Sequence, residues 1–224
     1  MAIFDGMTQL DFTGPYEIFA RLPDVEILLL AHALAPVRSQ FGLAFQPSAT
    51  LESMPHVDLL FVPGGTPGVD DALCNDALLG QIARLGASAR YVTSVCTGAL
   101  LLGAAGLLDG YRATTHWLSL PLLSAFGAIP IEERVVVDRN RITGGGVTAG
   151  IDFGLVLAGQ LFGEETARRI ELFTEYDPQP PFRCGSPRLA DSELIARVRE
   201  QSAAAIAKRA EIVRSAAARQ QRAS

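Results

Sequence analysis

The chain has 224 residues, is 49% apolar and carries a net charge of −5, which suits one α/β domain with a sizeable core. The acidic balance offers no basic field for nucleic acid, and the longest apolar run, Ala99 to Leu108, falls well short of the roughly 20 residues a membrane helix needs. Three cysteines, Cys74, Cys96 and Cys184, are odd in number and widely spaced, so neither a disulfide framework nor a zinc site is expected.

Taken in order, Ala2 to Phe4 reads as the end of a strand, and Thr13-Gly14-Pro15 as a helix start with Thr13 or Gly14 as N-cap. Asp11 then falls in a strand-to-helix connection. Val25 to Ala31 reads as a second strand, residues 36 to 57 as short extended pieces, and Asp58 to Val62 as a third strand ending in the glycine-rich turn Pro63-Gly64-Gly65-Thr66. The first strand begins abruptly, so the chain is expected to start a few residues late; no basic stretch followed by an apolar run marks a signal peptide.

A helical pattern at Ala77 to Leu85 precedes the central stretch, Tyr91 to Val95, which is β-branched and aromatic as a buried strand should be. Gly98 to Ala105 is Ala, Leu and Gly, as a tightly packed buried helix should be. The switch falls at Cys96. A thiol on such a nucleophile elbow faces unpaired N–H groups and the positive end of the helix dipole, which predicts a lowered pKa and a thiolate near neutrality.

Beyond it come a short strand at Arg112 to Thr115, a helix over His116 to Phe126, and a hairpin pairing Arg134 to Asp138 with Arg141 to Thr143. Gly144-Gly145-Gly146 opens a helix from about Thr148 to Leu161, and a second runs from Glu165 to about Tyr176. After a Pro-rich connection, Asp191 to about Arg222 reads as one long helix, with Ile195, Val198, Ser202, Ile206 and Val213 on one stripe that Arg209 interrupts. Strands alternating with helices indicate an α/β fold, an open and mostly parallel sheet with helices on both faces. Residues 1–187 form this domain, and 188–224 a helix packed on it or on a dimer partner.

Ligands of such sheets bind outside the carboxyl ends of the strands. Asp11, Gly65-Thr66 and Cys96-Thr97 all fall there, which supplies a nucleophile, a carboxyl group and backbone amides for adding a thiolate to a polarised carbon. Cys96 is the expected nucleophile. Asp11 is the expected proton carrier, its pKa raised by repulsion from the thiolate. The amides of Gly65 and Thr97 are candidates to hold charge on the adduct. Each has a plainer reading: Asp11 as a helix cap, the glycines as turn formers, Thr97 as an internally satisfied hydroxyl. His116, in Thr-Thr-His-Trp, is either a general base facing the same crevice or a structural histidine beside Trp117. Cys74 and Cys184 lie in loop-like settings and carry no expected role.

The motifs Asp11-Phe-Thr-Gly-Pro15, Val62-Pro-Gly-Gly-Thr66, Thr93-Ser-Val-Cys-Thr-Gly98, Ala105-Gly-Leu-Leu-Asp-Gly110, Ala113-Thr-Thr-His-Trp117 and Thr148-Ala-Gly-Ile-Asp152 together resemble the ThiJ/PfpI superfamily, whose fold is that of the class I glutamine amidotransferases. Within it the chain looks most like the members that add water to an isocyanide. Composition and the missing signal peptide suggest a cytoplasmic protein; the resemblance implies a homodimer without metal or organic cofactor, acting on a small-molecule isocyanide to give an N-substituted formamide, for which a thioimidate on Cys96 is the expected intermediate. In the resemblance Cys96 matches the nucleophile and Asp11 its acidic partner, while Thr97 and Gly65 match positions lining the site. Peptidase-like members tend to carry histidine where Thr97 stands, and deglycase-like members glutamate where Asp11 stands. Two alternatives remain: a ligand- or redox-sensing module like the N-terminal domain of certain transcription regulators, and glyoxalase or deglycase chemistry on the same cysteine. The stretch after Tyr176 is too short for those regulators' helix-turn-helix region.

Overall fold

The computed structural model describes residues 1–223. Its helices are α1 (Gln9–Phe19), α2 (Gly68–Leu73), α3 (Asp76–Ser88), α4 (Gly98–Ala104), α5 (Ala149–Phe162), α6 (Glu164–Phe173) and α7 (Ser192–Ala223). A 3₁₀ helix spans Trp117–Phe126. The strands are β1 (Leu30–Ala31), β2 (Val37–Arg38), β3 (Ala44–Phe45), β4 (Ala49–Thr50), β5 (Leu59–Val62), β6 (Tyr91–Val95), β7 (Arg112–Ala113), β8 (Ile129–Pro130), β9 (Val135–Asp138) and β10 (Arg141–Gly144).

The central sheet has the order β5-β6-β10-β9, with β6 parallel to both β5 and β10, and β9 returning antiparallel at one edge as the expected hairpin. The N-terminal residues extend it on the other side. Ala2 N–H donates to Phe61 O at 2.8 Å and Ile3 N–H to Leu30 O at 2.8 Å, so residues 1–3 lie between β5 and the short parallel pair β1–β4. Val92 and Val95 of β6 are fully buried, as is the run Ala99–Leu102 of α4. That explains the switch in residue type along this stretch: a strand covered on both faces accommodates β-branched side chains, and the helix that follows needs small and unbranched ones to sit close. Phe61 of β5 and Phe153 of α5 pack at 5.7 Å between ring centres, with Phe19 of α1 edge-on to both.

Four local expectations need correction. The first helix begins at Gln9, not at Pro15, with Thr8 in the N-cap position. Pro15 sits inside it and leaves the Asp11 carbonyl without its helical partner, a cost of about 3 kcal/mol. Burial of Phe12, Gly14, Pro15, Ile18 and Phe19 along the same helix offsets that cost. Regular pairing in the second strand is confined to Leu30–Ala31, because Val25 to Leu29 lie at the margin, where Val25 is 40% exposed. Gly68–Leu73 forms a short helix that the turn-rich residues before it conceal. Trp117–Phe126 winds as a 3₁₀ helix, with Pro121 in its interior and Gly127 closing it at φ +74°.

Helix α7 packs on the 3₁₀ helix, α2 and α4 of its own chain. Val213, Ala216 and Ala217 carry that contact and are buried, whereas much of the first half of the helix is exposed. Among the described residues no helix is long and apolar enough to cross a membrane.

Candidate active site

Cys96 occupies the left-handed region, at φ +55°. For a residue with a side chain this costs about 1–3 kcal/mol and persists only where the surroundings impose it. Here they do. The Cys96 N–H is held by the carbonyls of Gly144 at 3.0 Å and Gly145 at 2.9 Å, and its own carbonyl accepts Thr115 Oγ1–H at 2.7 Å. Two glycines let the neighbouring turn close in. A Cβ at Gly98 would lie 2.2 Å from Val62 O, and one at Gly64 would lie 2.5 Å from Thr97 N and 2.8 Å from Asp11 Oδ2. The Pro-Gly-Gly turn and the cysteine turn are therefore built against each other.

Starting the first helix at Gln9 puts Asp11 in its opening turn, fully buried, beside the Cys96 thiol. Its Oδ2 accepts the Gly64 N–H at 3.1 Å, while Oδ1 is buried with no hydrogen-bond partner. Burial raises the Asp11 pKa from 3.8 to about 7, against the lowering effect of hydrogen bonds from Cys96 and Gly64. Desolvation, rather than repulsion from a thiolate, is thus the main cause. For Cys96 the expected lowering does not occur. Burial pushes the thiol up and the Asp11 charge adds to it, while the backbone N–H groups of Thr97 and Val147 pull only partly the other way. The two groups form a buried pair that favours holding a proton between them, with the thiol protonated in the resting site.

Thr97 and Gly65 are tied to each other. The Gly65 N–H donates to Thr97 Oγ1 at 3.0 Å, so this amide is engaged and is not the free donor expected for an adduct. The amides aimed at sulfur are those of Thr97 and Val147. Thr66 is engaged as well: its N–H reaches Gln40 Oε1 at 3.3 Å, and its Oγ1 accepts Arg209 Nη2–H at 2.8 Å.

His116 caps the 3₁₀ helix, its Nδ1 accepting the Leu118 N–H at 3.4 Å, which assigns the ring proton to Nε2. Burial, then the positive Arg209, lower its pKa. The ring is a neutral N–H donor in this site, and the general-base role would require the other tautomer.

Cys96, Thr97, Gly65, Thr66 and His116 line one cavity of ≈ 370 Å³, whose other walls include Gln40, Val147 and residues of α7. Asp11 lies beneath it against Cys96. Arg209, in the sequence only an interruption in the α7 stripe, is a buried residue of the cavity wall. It is 4% exposed and donates to Asp70 Oδ1 at 2.6 Å, Ser119 Oγ at 3.3 Å and Thr66 Oγ1. A single charge on an otherwise apolar helical face was its signal. Cys74 and Cys184 are exposed and unbridged. Among the described residues no group of three or more His, Cys, Asp or Glu side chains is placed to hold a metal ion.

An α/β sheet with a strained cysteine at a strand end, beside a buried carboxyl group, defines a class. The DJ-1/PfpI family model matches residues 1–160, and the chain belongs to that family. It is 49% identical to the isonitrile hydratase of Pseudomonas putida over 217 residues, 97% of this chain and 95% of that one. A ThiJ/PfpI family protein from Pseudomonas syringae superposes with a TM-score of 0.92 at 45% identity, covering 95% of this chain and 88% of that one. The HTH-type transcriptional regulator GbdR of Pseudomonas aeruginosa is 37% identical over 137 residues, 59% of this chain but 36% of its own. Similarity to that regulator therefore involves only part of its length.

Proposed function

We propose that the protein is an isocyanide hydratase, converting an isocyanide and water to an N-substituted formamide through a thioimidate on Cys96. The observation that carries this reading is the buried Asp11–Cys96 pair, with one Asp11 oxygen unpartnered, in a chain so similar along its length to an isonitrile hydratase.

The steps follow from the pair. As Cys96 Sγ bonds to the terminal isocyanide carbon, its proton passes to the Asp11 carboxylate and then to that carbon, leaving R–N=CH–S–Cys96. No redox change occurs. Water then loses a proton to Asp11 as its oxygen attacks the thioimidate carbon, and Asp11 hands that proton to nitrogen. The tetrahedral adduct expels the Cys96 sulfur, the adduct's hydroxyl proton passes through Asp11 to that sulfur as the formyl C=O forms, and R–NH–CHO leaves. A carboxyl group with a pKa of about 7 suits both directions of transfer near neutral pH. The Thr97 and Val147 amides stabilise charge on sulfur during attack and departure. His116 Nε2–H supplies a neutral donor at the cavity wall.

The reading extends to a cytoplasmic homodimer. Leu172 and Phe173 at the end of α6, 81% and 73% exposed, support a subunit contact, and sedimentation as a monomer would remove that part.

Turnover of an aryl isocyanide, followed by formamide appearance, tests the activity. Wild type should produce formamide and Cys96→Ala none. Turnover retained in Cys96→Ala would end the proposal.

A further inference from the structure

The residues around the cavity fall into two groups. Gly65, Cys96, Thr97 and Val147 belong to turns at strand ends and hold the reacting atoms, whereas Ser202, Ala205, Ile206 and Arg209 come from α7. Their spacing of three, one and three places them on one face of the helix. Arg209 fixes that face. Its three hydrogen bonds reach α2 through Asp70, the 3₁₀ helix through Ser119 and the glycine turn through Thr66, so the wall cannot slide without breaking a buried ion pair. Leu118 adds a further apolar side chain.

We propose that the Ser202–Ala205–Ile206 face of α7 receives the substrate's N-substituent, and that it selects a neutral, largely apolar group by size. This rests on the isocyanide reading above. The C≡N–R unit of an isocyanide is linear, so with its carbon at Cys96 the substituent is carried away from the strand-end turns, toward the rest of the cavity. That region has little to offer a charge. Arg209 already has Asp70 as its counter-ion and donates a hydrogen bond from each of its three nitrogens, and the remaining lining groups from Gln40 to Ile206 carry no charge. Burial and Arg209 also keep His116 neutral. A carboxylate or ammonium on the substituent would lose water without gaining a counter-ion. Ala205 lies at the exposed mouth and Ile206 is half-buried, so both can be replaced without entering the core.

The test is kcat/KM for methyl, cyclohexyl and phenyl isocyanides, with 4-carboxyphenyl isocyanide as the charged member, in wild type, Ala205→Phe and Ile206→Ala. Ala205→Phe should lower the cyclohexyl and phenyl values about tenfold or more while leaving methyl within about threefold, and Ile206→Ala should raise the ratio of bulky to compact substrates. The carboxylate should be at least about tenfold slower than phenyl in wild type. Equal changes across the series, or an undiminished carboxylate, would overturn the proposal. Absence of all wild-type turnover would instead sink the hydratase reading. Cys96 alkylation, read by mass spectrometry, tests the wall independently: Ala205→Phe should slow N-phenyl iodoacetamide selectively over iodoacetamide, and iodoacetate should trail both in wild type. Unselective slowing would overturn the proposal through this readout as well.

Discussion

Asp11 and Asp70 are both buried aspartates within reach of the same cavity, and their surroundings could hardly differ more. Asp70 faces Arg209 at 2.6 Å, and its partner's two terminal nitrogens donate to Ser119 and Thr66. Asp11 has one backbone amide, a thiol, and an oxygen with nothing to accept from. The first arrangement neutralises the carboxylate with a guanidinium and fixes α7 in place. The second leaves a carboxyl group short of partners, which raises its pKa and keeps it able to give and take a proton. Charge pairing serves position, and its lack serves chemistry.

The strongest way to break this contrast is Asp11→Asn. It should lower kcat by about 10²–10⁴, the range for losing a positioned acid–base group, while leaving the fold intact. The same variant should be more stable than wild type at alkaline pH. Because the native pKa of Asp11 lies above 3.8, the folded state holds more protons than the unfolded state between pH 3.8 and about 7. Wild-type stability therefore falls as pH rises through that window, and the full cost, roughly 2–4 kcal/mol, is present above it. Denaturant midpoints at pH 4 and pH 8 measure it. Equal pH dependence in the two proteins would count against a buried, strained carboxyl group.

The opposite result is expected at the other aspartate. Arg209→Met strands Asp70 and should cost about 3–5 kcal/mol, whereas the double change Arg209→Met with Asp70→Leu should recover most of it. A double mutant no more stable than the single would show that Arg209 contributes something beyond its pairing. Thr97→Val sharpens the comparison with a smaller effect: it removes the acceptor of the Gly65 N–H and should cost about 1–3 kcal/mol of stability. Circular dichroism melts suffice to read it.

The same contrast marks how far the sequence could be read. The elbow at Cys96 was visible because a β-branched strand and an Ala/Leu/Gly helix meet there, and the glycine turn because Gly64-Gly65 stands at a strand end. Asp11 was placed near them, but in a connection rather than a helix. Thr13-Gly14-Pro15 is a sound local start signal, and only burial of Phe12, Ile18 and Phe19 carries the helix past it. The thiol's raised pKa is hidden from the sequence for a related reason: the helix dipole is legible there, but the depth of burial and the adjoining carboxyl charge are tertiary facts. Arg209 illustrates the remaining gap. Its position on the stripe was plain, yet nothing local joins it to Asp70, which lies far away in sequence.

The most direct measurement is a carbon-13 NMR titration of the Asp11 carboxyl group, from pH 4 to pH 9, in wild type and Cys96→Ala. A midpoint near about 7 is expected in wild type, remaining well above the ordinary carboxylate range in Cys96→Ala because desolvation is the larger cause. A wild-type midpoint near 3.8 would contradict the assignment of Asp11 as the poised proton carrier.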